Sequence, residues 1–176
     1  MSKTKLKRIS VFGCCGSGKS YVASKIGEKL NLPVVHFDVY TFDKKGQQLP
    51  KEEKCKLILE QMGDDWVTDG NHSKDDEITR RRMTESDLLV LLDLPADVCI
   101  ESIKSRHGTP RKDFPFDESI VDANNGGLEW LINYVKEYND LGRVKKLIEQ
   151  IDNFGVRSKL VHLKSRKEVD KFIDEL

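Results

Sequence analysis

Gly13-Cys14-Cys15-Gly16-Ser17-Gly18-Lys19-Ser20 decides the fold of this chain of 176 residues. The stretch fits the pattern G-x-x-x-x-G-K-[ST] of a phosphate-binding loop, in which glycines let backbone N–H groups surround phosphate oxygens. Residues 7–12 before it predict a short buried strand, and residues 21–30 after it predict a helix with one apolar face. Because this motif requires a strand, a glycine turn and a helix, we interpret the stretch as a nucleotide-binding site and not as a simple connecting turn.

The polar residues of this loop have separate expected roles. Lys19 is expected to reach the β- and γ-phosphates, and the hydroxyl of Ser20 to hold Mg²⁺. The whole loop is predicted to contact the nucleotide, namely Gly13, Cys14, Cys15, Gly16, Ser17, Gly18, Lys19 and Ser20.

Composition argues against several classes of partner. Lys plus Arg and Asp plus Glu number 30 each, so the formal net charge is zero and gives no overall attraction to nucleic acid or to an anionic membrane. The four cysteines lack metal-site spacing, and two of them are adjacent in the phosphate loop. The basic start lacks the apolar segment of a signal peptide, and no apolar run is long enough to span a bilayer. We expect a reduced, cytoplasmic protein that binds neither a membrane nor nucleic acid directly.

Strands and helices alternate along the remainder of the chain. Further strands are predicted at residues 33–37, 66–68, 88–92 and 159–163, and the run LLVLL at 88–92 is typical of a strand buried on both faces. Helices are predicted at about residues 51–62, 73–84, 95–107 and 128–151, the last bent near Gly142, and Ser165 to Glu168 has the form of a capping box for a final helix. The pattern predicts an α/β fold with a doubly wound, five-stranded parallel sheet in three layers.

We predict a single domain over residues 1–176. A segment at about residues 107–125, rich in Pro, Gly, Asp and Asn, has the composition of a mobile loop and is predicted to form a lid.

Acidic residues follow three of the predicted strands, at the edge where such sheets bind ligands. Asp69 is well placed to hold Mg²⁺ directly or through water, although it is also a candidate helix cap. Asp38 either orients or deprotonates an acceptor hydroxyl, contacts the metal, or only forms a turn. Asp93 precedes Leu94-Pro95, which favours a role in capping or loop geometry.

Arginine placement favours phosphoryl transfer over nucleotide storage, because fixed guanidinium groups stabilise the charge on the transferring group. Arg80, Arg81 and Arg82 are consecutive on a predicted helix, which cannot aim all three at one site. A closing lid would bring its flanking arginines over the phosphates. For each arginine alone, a solvated surface charge is an equal alternative. The catalytic candidates are Lys19, Asp38, Asp69, Arg82, Arg106, Arg111 and Arg143.

Further motifs accompany the loop, namely PVVHFD at 33–38, WVTDGNHS at 66–73, LDLP at 92–95 and LKSRKEV at 163–169. With the loop, they resemble the adenylate-kinase-like nucleoside and small-molecule kinases, and more closely the FlaR-like proteins named DNA topology modulation proteins. The resemblance extends over nearly the whole chain.

This resemblance implies the sheet order 2-3-1-4-5 of the nucleoside-monophosphate-kinase type and the cofactors ATP and Mg²⁺. It also implies an adenine pocket near the loop after the fifth strand, bordered by the Arg106 side chain and by the backbone around Ser165, Arg166 and Lys167. His72 stands where many relatives have Tyr, so no acceptor specificity carries over.

Two functions are compatible with the sequence. The first is a kinase that phosphorylates a nucleotide, a nucleoside or another small acceptor, with Asp38, Asn71 and Arg82 facing that acceptor. The second is a nucleotide-dependent regulator of DNA topology that binds DNA or a DNA-associated protein. Zero net charge and the absence of a recognisable DNA-binding motif count against the second function. Its only support comes from the basic residues at 80–82 and 104–112.

Overall fold

The computed structural model describes residues 6–43, 45, 47–71, 76–109 and 127–176. Within these ranges strands alternate with helices in the order β1 (Arg8–Gly13), α1 (Lys19–Leu30), β2 (Val34–His36), α2 (Lys51–Gln61), β3 (Trp66–Asp69), α3 (Glu77–Thr84), β4 (Leu88–Leu92), α4 (Ala96–Arg106), α5 (Gly127–Asp140), α6 (Arg143–Asn153), β5 (Leu160–Leu163) and α7 (Arg166–Glu175). Short 3-10 helices cover Phe37–Tyr40 and Arg157–Lys159.

The described strands form one sheet in the order β2-β3-β1-β4-β5, so the predicted fold class and strand order are confirmed. Every neighbouring pair is parallel. Val11 of β1 lies opposite Asp69 of β3 on one side and opposite Val90 of β4 on the other. The carboxyl ends of these three strands therefore meet at one edge of the sheet, where the phosphate loop begins.

Apolar side chains of the central strands are buried against helices on both faces of the sheet. On one face the strands pack on α1 and α7, through Ile9, Val11, Val22, Ile26, Val169 and Ile173. On the other face they pack on α6, through Phe12, Leu89, Leu91, Leu147 and Ile151. Each such side chain contributes about 1.5–3 kcal/mol through burial, and the central strands β1 and β4 are fixed from both sides.

The predicted long helix at 128–151 is in fact two helices, α5 and α6. Gly142 between them has a φ of 59°, in the left-handed region that an α-helix of L-residues does not enter. Gly142 directly precedes the first residue of α6. The predicted bend lies at the correct residue, but the structure has a break between two helices there and not a bend in one helix.

Two other predicted boundaries differ from the structure. β2 ends at His36 because Phe37–Tyr40 turns into a 3-10 helix. α3 begins at Glu77, where the side chain of Asp76 caps it by accepting from the Thr79 N–H at 3.2 Å. The first predicted residues of that helix, 73–75, and nearly all of the predicted lid lie outside the described residues. No helix in the described ranges combines the length and the apolar character that crossing a membrane requires.

Candidate nucleotide-binding site

The phosphate loop connects β1 to α1 and depends on glycine at two tightly packed points. Gly13 and Gly16 have φ values of 152° and 77°. A Cβ atom on Gly13 would lie 2.6 Å from the carbonyl oxygen of Leu92, and one on Gly16 would overlap the carbonyl oxygen of Cys99. The motif spacing therefore reflects the close approach of the loop to β4 and α4.

Lys19 lies across its own loop. Its Nζ donates to the carbonyl oxygen of Cys14 at 2.9 Å, and the backbone N–H of Ser17 donates to the same oxygen at 3.2 Å. Gly18, the residue before α1, offers no side-chain cap, and the first turn of α1 contains no acidic residue. The ammonium group and the uncapped helix N-terminus together make the loop attractive to an anion.

A cleft of ≈ 570 Å³ opens above this loop. Its lining includes the charged residues Lys19, Lys25, Glu28, Asp38, Arg106 and Arg166. Lys25 and Glu28 pair with each other at 2.7 Å, which leaves three cations and one carboxylate to act on a ligand. A cleft of this size and sign suits a small anionic ligand such as a nucleotide.

Asp69 ends β3 beside the loop and is only 3% exposed. Its Oδ1 lies 3.0 Å from Nδ1 of His36, whereas its buried Oδ2 has no hydrogen-bond partner among the described residues. Burial raises the pKa of Asp69, but His36, Ser20 and Lys19 lower it, and the resulting pKa lies below the usual value. Asp69 is thus a carboxylate with one uncommitted buried oxygen near Ser20, a donor set that fits Mg²⁺.

Arg82 was predicted to face an acceptor, but it lies in the core with no exposed surface. Its Nη1 donates to the carbonyl oxygen of Gly70 at 2.8 Å and its Nη2 to that of Val11 at 2.9 Å. The guanidinium carbon lies 3.9 Å from the ring centroid of Phe12. Burial lowers the pKa of Arg82 to about 9. In this structure Arg82 braces the ends of β1 and β3 and does not reach the cleft.

The neighbouring arginines of α3 lie at the surface. Arg80 lies 3.8 Å from Glu77, and Arg81 pairs with Glu85 at 3.1 Å. Neither lines the cleft.

Arg106 and Arg166 both line the cleft. Nη2 of Arg106 lies 3.7 Å from Sγ of Cys15. Arg166 donates from Nη1 to the carbonyl oxygen of Ser17 at 3.0 Å and from Nη2 to Oγ of Ser102 at 2.6 Å. Sequence analysis had placed only the backbone near Arg166 at the base pocket, and the reach of its side chain to the loop was missed.

Asp38 lies at the cleft with an exposed side chain, in agreement with a role near the phosphates. Ser165 caps α7, with its Oγ accepting from the Glu168 N–H at 3.2 Å. Lys167 is exposed and does not line the cleft.

Arg143 does not line the cleft but lies 5.1 Å from the ring centroid of Tyr134. Arg111 lies outside the described residues. Asp93 pairs with His162 at 2.8 Å, a contact between β4 and β5 that agrees with its expected part in loop geometry.

The contacts that Asn71 and His36 make in the structure were not predicted from the motifs. Asn71 donates from Nδ2 to the carbonyl oxygen of Gly13 at 2.7 Å, and its Oδ1 accepts from the Gly13 N–H at 3.4 Å. His36 belongs to the PVVHFD motif and Asn71 to the WVTDGNHS motif, so both residues were marked by the sequence. Their hydrogen-bond partners lie too far along the chain to be recognised from a local pattern.

Comparisons with known proteins agree with this geometry. A family model described as NB-ARC domain matches residues 1–113. No curated protein matches the sequence significantly. Among solved structures, the chain is similar to the crystal structure of a gluconokinase from Sinorhizobium meliloti 1021, with a TM-score of 0.54 and 15% identity over 98% of this chain and 90% of that chain. At this identity the likeness shows the fold alone, an α/β fold with a five-stranded parallel sheet in the order 2-3-1-4-5.

Proposed function

Because the chain belongs to the NB-ARC family of P-loop NTPase domains, we propose that it binds ATP with Mg²⁺ and transfers the γ-phosphoryl group to a small acceptor. The observation that carries this proposal is the cleft above the phosphate loop. Its lining includes the cations of Lys19, Arg106 and Arg166 and the carboxylate of Asp38. The sequence motifs leave the acceptor open among nucleotides, nucleosides and other small hydroxyl compounds. The gluconokinase adds sugar acids to the acceptors worth testing.

Phosphate binding follows from the loop and from Lys19. The backbone N–H groups between Gly13 and Ser20 donate to phosphate oxygens, and the ammonium group of Lys19 exchanges the Cys14 carbonyl for the terminal phosphates. Arg106 and Arg166, which line the same cleft, hold the nucleotide beside the loop. These positive groups stabilise charge that develops on the phosphoryl oxygens during transfer.

Ser20 and Asp69 would hold Mg²⁺, since Asp69 retains an uncommitted buried oxygen. When bound, Mg²⁺ would neutralise part of the phosphate charge. His36 keeps the Asp69 carboxylate oriented and ionised.

Asp38 is proposed to accept the proton of the acceptor hydroxyl. The hydroxyl oxygen attacks the γ-phosphorus, the bond from that phosphorus to the β–γ bridging oxygen breaks, and ADP leaves. The exposed carboxylate of Asp38 lines the same cleft as Lys19 and is placed by the turn that follows β2.

The nucleotide arm of the proposal is tested with Lys19→Ala and calorimetric titration of ATP with Mg²⁺. Loss of a charge-assisted contact of about 1.5–3 kcal/mol should weaken ATP binding by roughly 10- to 100-fold or more. Lys25→Ala is the matched control, because Lys25 lines the cleft but is paired with Glu28. Equal ATP affinity in Lys19→Ala and the wild type would refute the assignment of the loop.

The kinase arm is tested by following ADP formation across a panel of nucleosides, nucleoside monophosphates and sugar acids. A kinase should show a sharp rise with one acceptor, and Asp38→Asn should lower that rate by about 10²- to 10⁴-fold while ATP affinity changes little. Slow hydrolysis that is uniform across the panel would instead indicate an ATPase without an acceptor.

A further inference from the structure

Two hydrogen bonds join the side chain of Asn71 to the backbone of Gly13, at 2.7 Å from Nδ2 to the carbonyl oxygen and at 3.4 Å from the Gly13 nitrogen to Oδ1. The register of β1 with β3 pairs Arg8 with Trp66 and Val11 with Asp69, so Gly13 and Asn71 would face each other two positions beyond the last pair of this ladder. β3 ends at Asp69. The side-chain amide of Asn71 therefore supplies the donor and the acceptor that a longer strand would have supplied from its backbone.

Gly13 needs such a partner more than most residues do. It is the first residue of the phosphate loop, its φ is 152°, and glycine has more backbone freedom to lose than any other residue. β4 fixes one side of it, through the pairing of Gly13 with Leu92. Asn71 fixes the other side, at the point where the chain leaves the sheet.

We propose that Asn71 is a positioning residue that fixes the start of the phosphate loop through Gly13. The inference rests on the proposed function, since it assigns Asn71 to the nucleotide half of that site. It replaces the expectation that Asn71 faces the acceptor, because Gly13 engages both polar atoms of the Asn71 amide.

The test compares Asn71→Ala with the wild type. Asn153→Ala is the control, since Asn153 is an exposed residue at the end of α6. In calorimetry with ATP and Mg²⁺, Asn71→Ala should bind about tenfold more weakly, because an unrestrained loop presents its amides less accurately.

Hydrogen exchange of the nucleotide-free proteins gives a second readout that does not require binding. Amides 13–20 should exchange faster in Asn71→Ala, whereas amides of β4 should be unchanged and so report an intact core. Unchanged ATP affinity and unchanged loop exchange in Asn71→Ala would overturn the inference and leave the kinase proposal standing. A raised acceptor KM at normal ATP affinity would also overturn it. If the wild type binds no nucleotide, the proposed function fails and the exchange result alone decides the role of Asn71.

Discussion

The fully buried guanidinium group of Arg82 supports the backbone beside the cleft from inside the protein. Among the residues that the structure describes, no carboxylate lies within salt-bridge distance of Arg82, and its donors go to backbone oxygens of Gly70 and Val11 and to Oγ of Ser10. Burial of this cation destabilises its charged form, which is why its pKa is lowered to about 9. The rings of Phe12 and Phe37, with centroids at 3.9 Å and 4.8 Å, offset part of this loss through cation–π contacts. The role of Arg82 is therefore to join strands β1 and β3 directly beneath the phosphate loop.

Replacing Arg82 by Met should destabilise the protein by about 2–4 kcal/mol, because two buried carbonyl groups lose their donors while the volume is largely kept. Urea unfolding followed by circular dichroism measures the change. Arg80→Met is the control, since Arg80 lies at the surface of the same helix and its loss should cost about 0.5 kcal/mol or less. Similar midpoints for the two variants would contradict the bracing role.

Tyr138 should give the protein a measurable dependence on alkaline pH. It is 4% exposed, and burial raises its pKa above the ordinary value of about 10. Because the folded pKa is the higher one, the contribution of the neutral phenol to stability is complete below about pH 10 and is lost as the pH rises further. Free energies of unfolding in urea from pH 8 to 11 should fall more steeply for the wild type than for Tyr138→Phe. Parallel curves would show that the phenol is not protected.

At the scale of single elements, α7 places a site residue by means of its cap. Ser165 accepts from the Glu168 N–H at 3.2 Å, and Glu168 in turn accepts from the Lys164 N–H at 2.7 Å. This reciprocal pattern was readable from the sequence as a capping box. It fixes the first turn of α7, and hence the residue Arg166 that reaches the loop.

Ser165→Ala should cost about 1 kcal/mol of stability, the usual value for loss of an N-cap side chain. Thermal unfolding compared with Ser158→Ala gives the measurement, because Ser158 is exposed in the preceding 3-10 helix and caps no helix. A loss in Ser165→Ala no larger than that in Ser158→Ala would argue against the cap.

The elements differ in how far sequence could predict them. β4 was predicted to the residue, because five consecutive apolar side chains suit only a strand buried on both faces. The orientation of α3 was missed, although Ile78 and Arg82 are four residues apart and so lie on the same face of the helix. Because Arg82 is charged, the sequence suggested a residue at the surface or in the site. Its burial is seen only in its tertiary contacts with β1 and β3.

At the scale of the whole molecule, the cleft is assembled from distant parts of the chain. The glycine pattern alone predicted the loop, since close backbone packing leaves no other residue possible at Gly13. The family match covers residues 1–113, whereas β5 and α7 complete the sheet and the cleft from beyond that range. Contacts such as those of Arg166 depend on how the ends of the chain meet, and local sequence patterns carry no record of them.

A zero net charge does not prevent a strongly positive cleft. Acidic and basic residues balance over the chain, yet three unpaired cations line the cleft beside one unpaired carboxylate. Attraction for phosphate is therefore a local property of the fold. The alternative of a DNA-linked regulator, against which the zero net charge counts, remains a prediction from sequence.

Arg166 should link nucleotide binding to the stability of the whole fold. It bonds the Ser17 carbonyl at 3.0 Å and Ser102 Oγ at 2.6 Å, so it joins α7 to both the loop and α4 beside the cleft. Arg166→Ala should weaken ATP binding about tenfold, through lost contact with the ligand and a looser loop.

The consequence is measurable as ligand-induced stabilisation. ATP and Mg²⁺ at about 100 times the wild-type Kd should stabilise the wild type by about 2.7 kcal/mol, and a tenfold weaker variant by about 1.4 kcal/mol. Unfolding in urea with and without nucleotide gives both values, with Arg157→Ala as the control because Arg157 forms only an exposed pair with Asp152. Equal stabilisation of Arg166→Ala and the wild type would mean that the carboxyl-terminal helix completes the sheet without taking part in the nucleotide site.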